Sequence, residues 1–87
     1  MVIIMKKDEV TVLVFALRYA LPRKTYAPKL VTDYIVEQIP RMTKEQREEL
    51  AAELYRLKDE YADRYAEECA NNLSWHLRNC KYEETEE

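Results

Sequence analysis

No glycine occurs anywhere in the 87 residues, and this absence limits the fold more than any motif does. Tight β-hairpins and many loops rely on residues that tolerate positive φ, and glycine supplies most of them. Three prolines are the only strong breakers, while Leu, Ala, Glu and Arg favour helix. The expected fold class is therefore all-α, a small three- to four-helix domain with a long amphipathic third helix. A chain of this length has room for one core, so residues 1–87 are read as a single helical domain with 1–7 and 82–87 flexible.

Apolar periodicity places the elements. In the first, Val10, Leu13, Val14, Leu17, Ala20 and Leu21 recur at helical spacing, with Asp8 as the expected cap and Pro22 as the stop. The second follows the turn Pro22-Arg23-Lys24, with Thr25 as its cap and Pro28 inside its first turn, where the missing donor costs nothing. Its expected buried stripe is Leu30, Val31, Tyr34, Ile35 and Ile39, ended by Pro40.

The third helix starts at a capping box, Thr43-Lys44-Glu45-Gln46. Leu50, Leu54, Leu57, Tyr61 and Tyr65 define its expected buried stripe. Projected as one helix, Glu45, Glu49, Asp59, Glu60, Asp63 and Glu67 fall on the opposite, solvent-facing side. Continued to Cys80, such a helix would be ~55 Å long in a chain whose radius of gyration should be roughly 12 Å. Leu73, His76 and Cys80 sit roughly 100° around from the earlier stripe, which points to a break near Asn71-Asn72 and a short fourth helix from about Leu73. The alternative is an unbroken helix whose overhang pairs with a second subunit, giving a homodimer.

The residues needed for most catalytic constellations are missing. There is one His and one Ser, and Ser74 and His76 are spaced to point to different helix faces. Without glycine there is no phosphate-cradling loop of the usual kind. Cys69, His76 and Cys80 offer three ligands at a spacing unlike zinc modules, so they are assigned to structure and no metal or cofactor is expected. The chain is not expected to be an enzyme. Two cysteines do not make a disulfide framework, and no apolar run approaches a membrane span, so a cytoplasmic protein with no membrane partner is expected.

Charge is unevenly distributed. Residues 1–44 carry eight Lys or Arg against four Asp or Glu, and residues 45–87 carry six against thirteen, so the halves are +4 and −7. Arg18, Arg23, Lys24 and Lys29 surround the first turn, with Tyr19 and Tyr26 interleaved. A helix-turn-helix regulator would use such a turn on DNA. Against it stand Asp33 and Glu37 on the second helix and an acidic pI of about 5.3, which argue against direct nucleic-acid binding.

The segment from Phe15 to Tyr26, FALRYALPRKTY, resembles a signature of short phage and prophage proteins from Gram-positive bacteria, which typically reads FALRYALGRRTY. The downstream VTDYI (Val31 to Ile35) fits the same pattern, and Pro22 stands where that family usually has glycine. The resemblance implies a viral or prophage origin, an accessory role and action in the host cytoplasm. The function expected is binding to a host protein and its inhibition or redirection, with a nucleic-acid-binding defence nuclease such as a CRISPR effector as the concrete case. The partner-binding candidates are Glu49, Asp59, Glu60, Asp63 and Glu67, as carboxylates that imitate phosphates, and Arg18, Arg23, Lys24 and Tyr26, as a basic, tyrosine-bearing corner.

Overall fold

The computed structural model describes residues 4–79. Four helices follow one another: α1 (Lys7–Ala20), α2 (Ala27–Gln38), α3 (Lys44–Arg56) and α4 (Arg64–Arg78), with a 3-10 turn over Ile39–Arg41 after α2. Among the described residues there is no strand, so the all-α class stands. The expectations for residues 80–87, including Cys80, and for residues 1–3 lie outside the described part.

One core joins all four helices. It is built from Val10, Leu13 and Leu17 of α1, Ile35 of α2, Leu50 and Leu54 of α3, and Ala66, Ala70, Leu73 and Leu77 of α4. Met5, in the stretch expected to be flexible, is part of this core. Its backbone N–H donates to Arg41 O at 2.8 Å and its carbonyl accepts from Gln46 Nε2 at 2.8 Å. The lead-in to α1 is thereby bonded to the α2–α3 connection.

The helix starts follow local hydrogen-bond chemistry. At α3 the capping box is complete: Thr43 Oγ1 accepts from Gln46 N at 3.1 Å, and Gln46 Oε1 accepts from Thr43 N at 2.9 Å. Thr43→Ala is expected to lower stability by about 1 kcal/mol. In a thermal melt that corresponds to a fall in Tm of about 4–8 °C. Asp8 is not the cap of α1. The helix starts earlier, at Lys7, because Glu9 reaches back to accept from Lys6 N at 2.7 Å, which places Asp8 inside the first turn. At α2 the cap position is Tyr26, and Thr25 serves from one residue further out, its Oγ1 accepting from Ala27 N at 3.0 Å.

The expected long third helix is two helices, and the break lies at 57–63 rather than near Asn71-Asn72. Glu60 N donates to Leu57 O at 2.8 Å, and Tyr61 Oη donates to Leu54 O at 3.1 Å, so the chain folds back on the end of α3. Asp63 then opens α4, with Oδ1 accepting from Ala66 N at 3.0 Å. Asn71 and Asn72 are exposed residues inside α4. This break lets the chain fit within 39 × 23 × 20 Å. It also removes the overhang on which a dimer through an unbroken third helix depended.

The stripe of α2 differs from expectation as well. Ile35 and Ile39 are buried and Val31 is half-buried, but Leu30 and Tyr34 are exposed. Thr32 takes the inward position, its hydroxyl donating to Pro28 O at 2.8 Å, so the polar group is satisfied within the helix.

A candidate protein interface where two turns meet

The turn between α1 and α2 and the turn between α3 and α4 lie against each other. Ala62 N donates to Leu21 O at 2.9 Å, a backbone bond between residues far apart in sequence. The carbonyl is free to accept because Pro22 ends α1 there, and Ala62 is free to donate because it precedes the cap of α4. One end of the molecule therefore carries both the basic, tyrosine-bearing turn and the acidic turn.

The basic side is organised by rings. Arg23 lies over the Tyr19 ring, its guanidinium carbon 4.0 Å from the centroid. Tyr26 meets Tyr65 of α4 edge to face, with centroids 6.3 Å apart and planes at 77°. Tyr19 and Tyr26 lie on the surface, 61% and 74% exposed. Lys24 is exposed on the turn. On the acidic side, Asp59 and Glu60 are exposed in the α3–α4 turn, Asp63 caps α4, and Glu67 is exposed in its first turn.

Two candidates separate from this group. Glu49 lies on α3 about 12 Å along the helix from Leu57, too far to share the cluster. The six carboxylates expected on one helix face therefore do not line one, because α3 and α4 are separate helices. Arg18 is engaged elsewhere. Its Nε and Nη2 donate to Glu53 Oε2 and Oε1 at 2.7 and 3.3 Å, and Arg56 Nη2 donates to the same carboxylate at 2.6 Å. Glu53 is buried, and its hydrogen bond from Arg18, followed by that from Arg56, holds its carboxyl below the ordinary range despite burial.

Glu53, Tyr65 and the exposed Phe15 are not among the partner-binding candidates that the sequence offers. A signal existed for Glu53: it falls between Leu50 and Leu54 on the inward side of α3, a place where a carboxylate requires cationic partners. Tyr65 was assigned to the buried stripe because α3 was extended through it.

Elsewhere a groove of about 340 Å³ runs between α3 and α4, lined by Leu54, Tyr55, Lys58, Tyr61, Ser74 and Arg78 among others. Among the described residues its walls carry no carboxylate, imidazole or thiol. Burial pushes the Tyr61 hydroxyl up, away from use as a base at neutral pH. Cys69 is half-buried, and burial raises its thiol more than the Thr32 hydrogen bond and Lys29 lower it. His76 packs edge to face on Trp75 with centroids 5.1 Å apart. Among the described residues no group of three His, Cys, Asp or Glu side chains is placed to hold a metal ion, and no helix is long and apolar enough to cross a membrane.

Comparison with known proteins decides nothing further. No family model, curated protein or solved structure matches the chain.

Proposed function

We propose that this chain is a phage- or prophage-encoded accessory protein without catalytic activity, which binds a host protein and inhibits or redirects it through the end where the two turns meet. The observation that carries the reading is the Ala62–Leu21 bond, because it puts exposed Tyr26 and Tyr65, Lys24 and the carboxylates of Asp59, Glu60 and Glu67 on one end of the molecule. Tyrosine and mixed charge are what protein hot spots use. A phosphate-binding surface would instead be dominated by cations. The exposed tyrosines are held by a ring contact rather than loose, so less side-chain freedom is lost on docking. The FALRYALPRKTY segment, with its phage resemblance, supplies one half of that surface.

The concrete version is a host defence nuclease of the CRISPR type, whose basic nucleic-acid groove would accept the acidic turn. Purified chain added to such an effector should slow target cleavage. Tyr26→Ala with Tyr65→Ala should weaken the inhibition by about 1000-fold, as two hot-spot losses of about 2 kcal/mol each would. Asp59→Lys with Glu60→Lys and Glu67→Lys should abolish it with the far-ultraviolet dichroism unchanged. Full cleavage in the presence of wild-type chain would reject the nuclease. A gel shift on duplex DNA that disappears with Arg23→Ala and Lys24→Ala would reject the protein partner in favour of a DNA-binding regulator.

A further inference from the structure

The outward face of the α1–α2 hairpin is apolar, and the contacts on its rings, Arg23 over Tyr19 and Arg18 near Phe15, come from α1 itself and the turn that follows it. Val12, Phe15 and Tyr19 follow one stripe of α1, and Leu30 and Tyr34 follow one stripe of α2. All five are more than half exposed. Arg18 marks the flank of α1 turned to α3, and helical projection puts Val12 on the far side of it, toward α2. On α2, the buried Thr32 marks the flank turned to Cys69 of α4, and Leu30 and Tyr34 project roughly opposite. The two stripes therefore adjoin across the hairpin seam. Together they expose on the order of 500 Å² of apolar surface, since aromatic side chains carry about 150–250 Å² each.

On the outward face itself the charges at the two ends differ in sign, while Lys6 and Lys7, at the start of α1, project off this face. At the turn end stand Arg23 and Lys24, and at the other end stand Asp8, in the first turn of α1, and Glu37, in the last turn of α2. None of the four forms an ion pair with another described residue. Such a face suits a copy of itself. A two-fold axis lying in the interface and running across the helices superposes α1 on α1 and reverses its direction. Arg23 and Lys24 of one copy then meet Asp8 and Glu37 of the other, at both ends. An axis along the helices would instead oppose like charges. Neither a membrane nor a nucleic acid, each of one sign, matches both ends.

We infer that two copies of this chain associate through the α1–α2 hairpins, antiparallel about a two-fold axis, as two facing pairs of helices with Phe15 and Leu30 near the centre. A stable interface needs about 800 Å² from each partner. The five side chains supply the larger part, and the stems of the flanking charged residues supply the rest. The interface leaves Tyr26 and Tyr65 outside it but shares Lys24 with the proposed host-binding end, so Phe15→Glu, which touches the hairpin face alone, is the variant that separates this association from host binding.

Sedimentation equilibrium across micromolar to millimolar full-length chain tests it. The wild type is expected to pass from monomer to dimer within that range. Phe15→Glu, at an exposed position that leaves helicity intact, should weaken association by at least about 100-fold, because a symmetric interface feels each substitution twice. Arg23→Glu with Lys24→Glu should weaken self-association, and so should Asp8→Lys with Glu37→Lys. Mixed in equal amounts, those two variants should form a heterodimer tighter than either alone.

A wild type that stays monomeric at millimolar concentration overturns the proposal. So does dimerisation unaffected by Phe15→Glu, or a mixture of charge variants that associates no better than its parts. A monomer that instead partitions onto vesicles of anionic lipid would assign the face to a membrane.

Discussion

Leu17→Ala is expected to remove about 2–5 kcal/mol of stability. For a domain of this length the whole stability should be about 4–13 kcal/mol, so the loss takes a large share of it. Leu17 is completely buried. It lies midway along the inward stripe of α1, between Leu13 and Leu21, where α1 meets both α2 and α3. The core it belongs to is shared by helices packed on both sides of α1, so collapse onto an alanine would require shifting packed backbones. The cavity should therefore persist, and the cost should lie well above the transfer of the lost methyl groups alone. Urea denaturation should show a lower midpoint with an unchanged slope, the mark of a native state weakened rather than rearranged. Phe15→Ala, two residues away on the same helix and exposed, should change stability by no more than about 0.5 kcal/mol when measured below the dimerisation range. If both substitutions cost the same, the assignment of inward and outward faces of α1 is wrong.

How far that assignment was legible in the sequence differs from helix to helix. α1 and α3 could be read because large aliphatic residues mark one face and because the Thr43–Gln46 capping box is a local chemical device that tertiary context did not override. α4 was misplaced because its inward face begins with Ala66 and Ala70, both buried, whose small side chains give a weak periodic signal. From Leu73, His76 and Cys80 alone, the phase change relative to α3 is visible but its position is not. The turn at 57–63 contains neither glycine nor proline. It is held by bonds to distant groups, Tyr61 to Leu54 and Ala62 to Leu21, which no local pattern announces.

The candidate site was legible as residue types and not as a place. The basic turn and the acidic residues 59–67 were both singled out, but as competing surfaces, because nothing local says that the two turns touch. On α2 the misreading is informative. Leu30 and Tyr34 were assigned inward because they are apolar, and the core has no room for them, since Thr32, Ile35 and Ile39 already fill the inward side. An apolar stripe wider than the core can use is what leaves the hairpin face available for a second copy.

The buried carboxylate of Glu53 leads to the other large effect. Its side chain is 3% exposed, whereas those of Arg18 and Arg56 are 51% and 60% exposed, so the cations keep much of their hydration and the anion keeps almost none. Arg18→Met with Arg56→Met retains the aliphatic stems that cover the site and strips the carboxylate of its donors. The expected cost at pH 7 is about 3–5 kcal/mol, that of an uncompensated buried charge. Its pH dependence should reverse as well.

In the wild type the folded carboxyl lies below its ordinary value of 4.5, with Arg18 the first cause. Its contribution is therefore present above that value and is lost as the pH falls through the lower, folded one. Glu9, lowered by the Lys6 N–H first, adds in the same direction. Without the arginines only burial remains to act on Glu53, and burial raises a carboxyl. The double variant should then gain stability relative to wild type as the pH falls from 7 toward 4, where its carboxyl takes up a proton in the folded state. Glu53→Leu, which removes the charge along with the need to pair it, should cost less than the double arginine variant at pH 7. Urea midpoints for the three proteins at pH 7 and pH 4 separate these outcomes. A double variant that tracks the wild type at both pH values would mean that water, and not Arg18 and Arg56, satisfies this carboxylate.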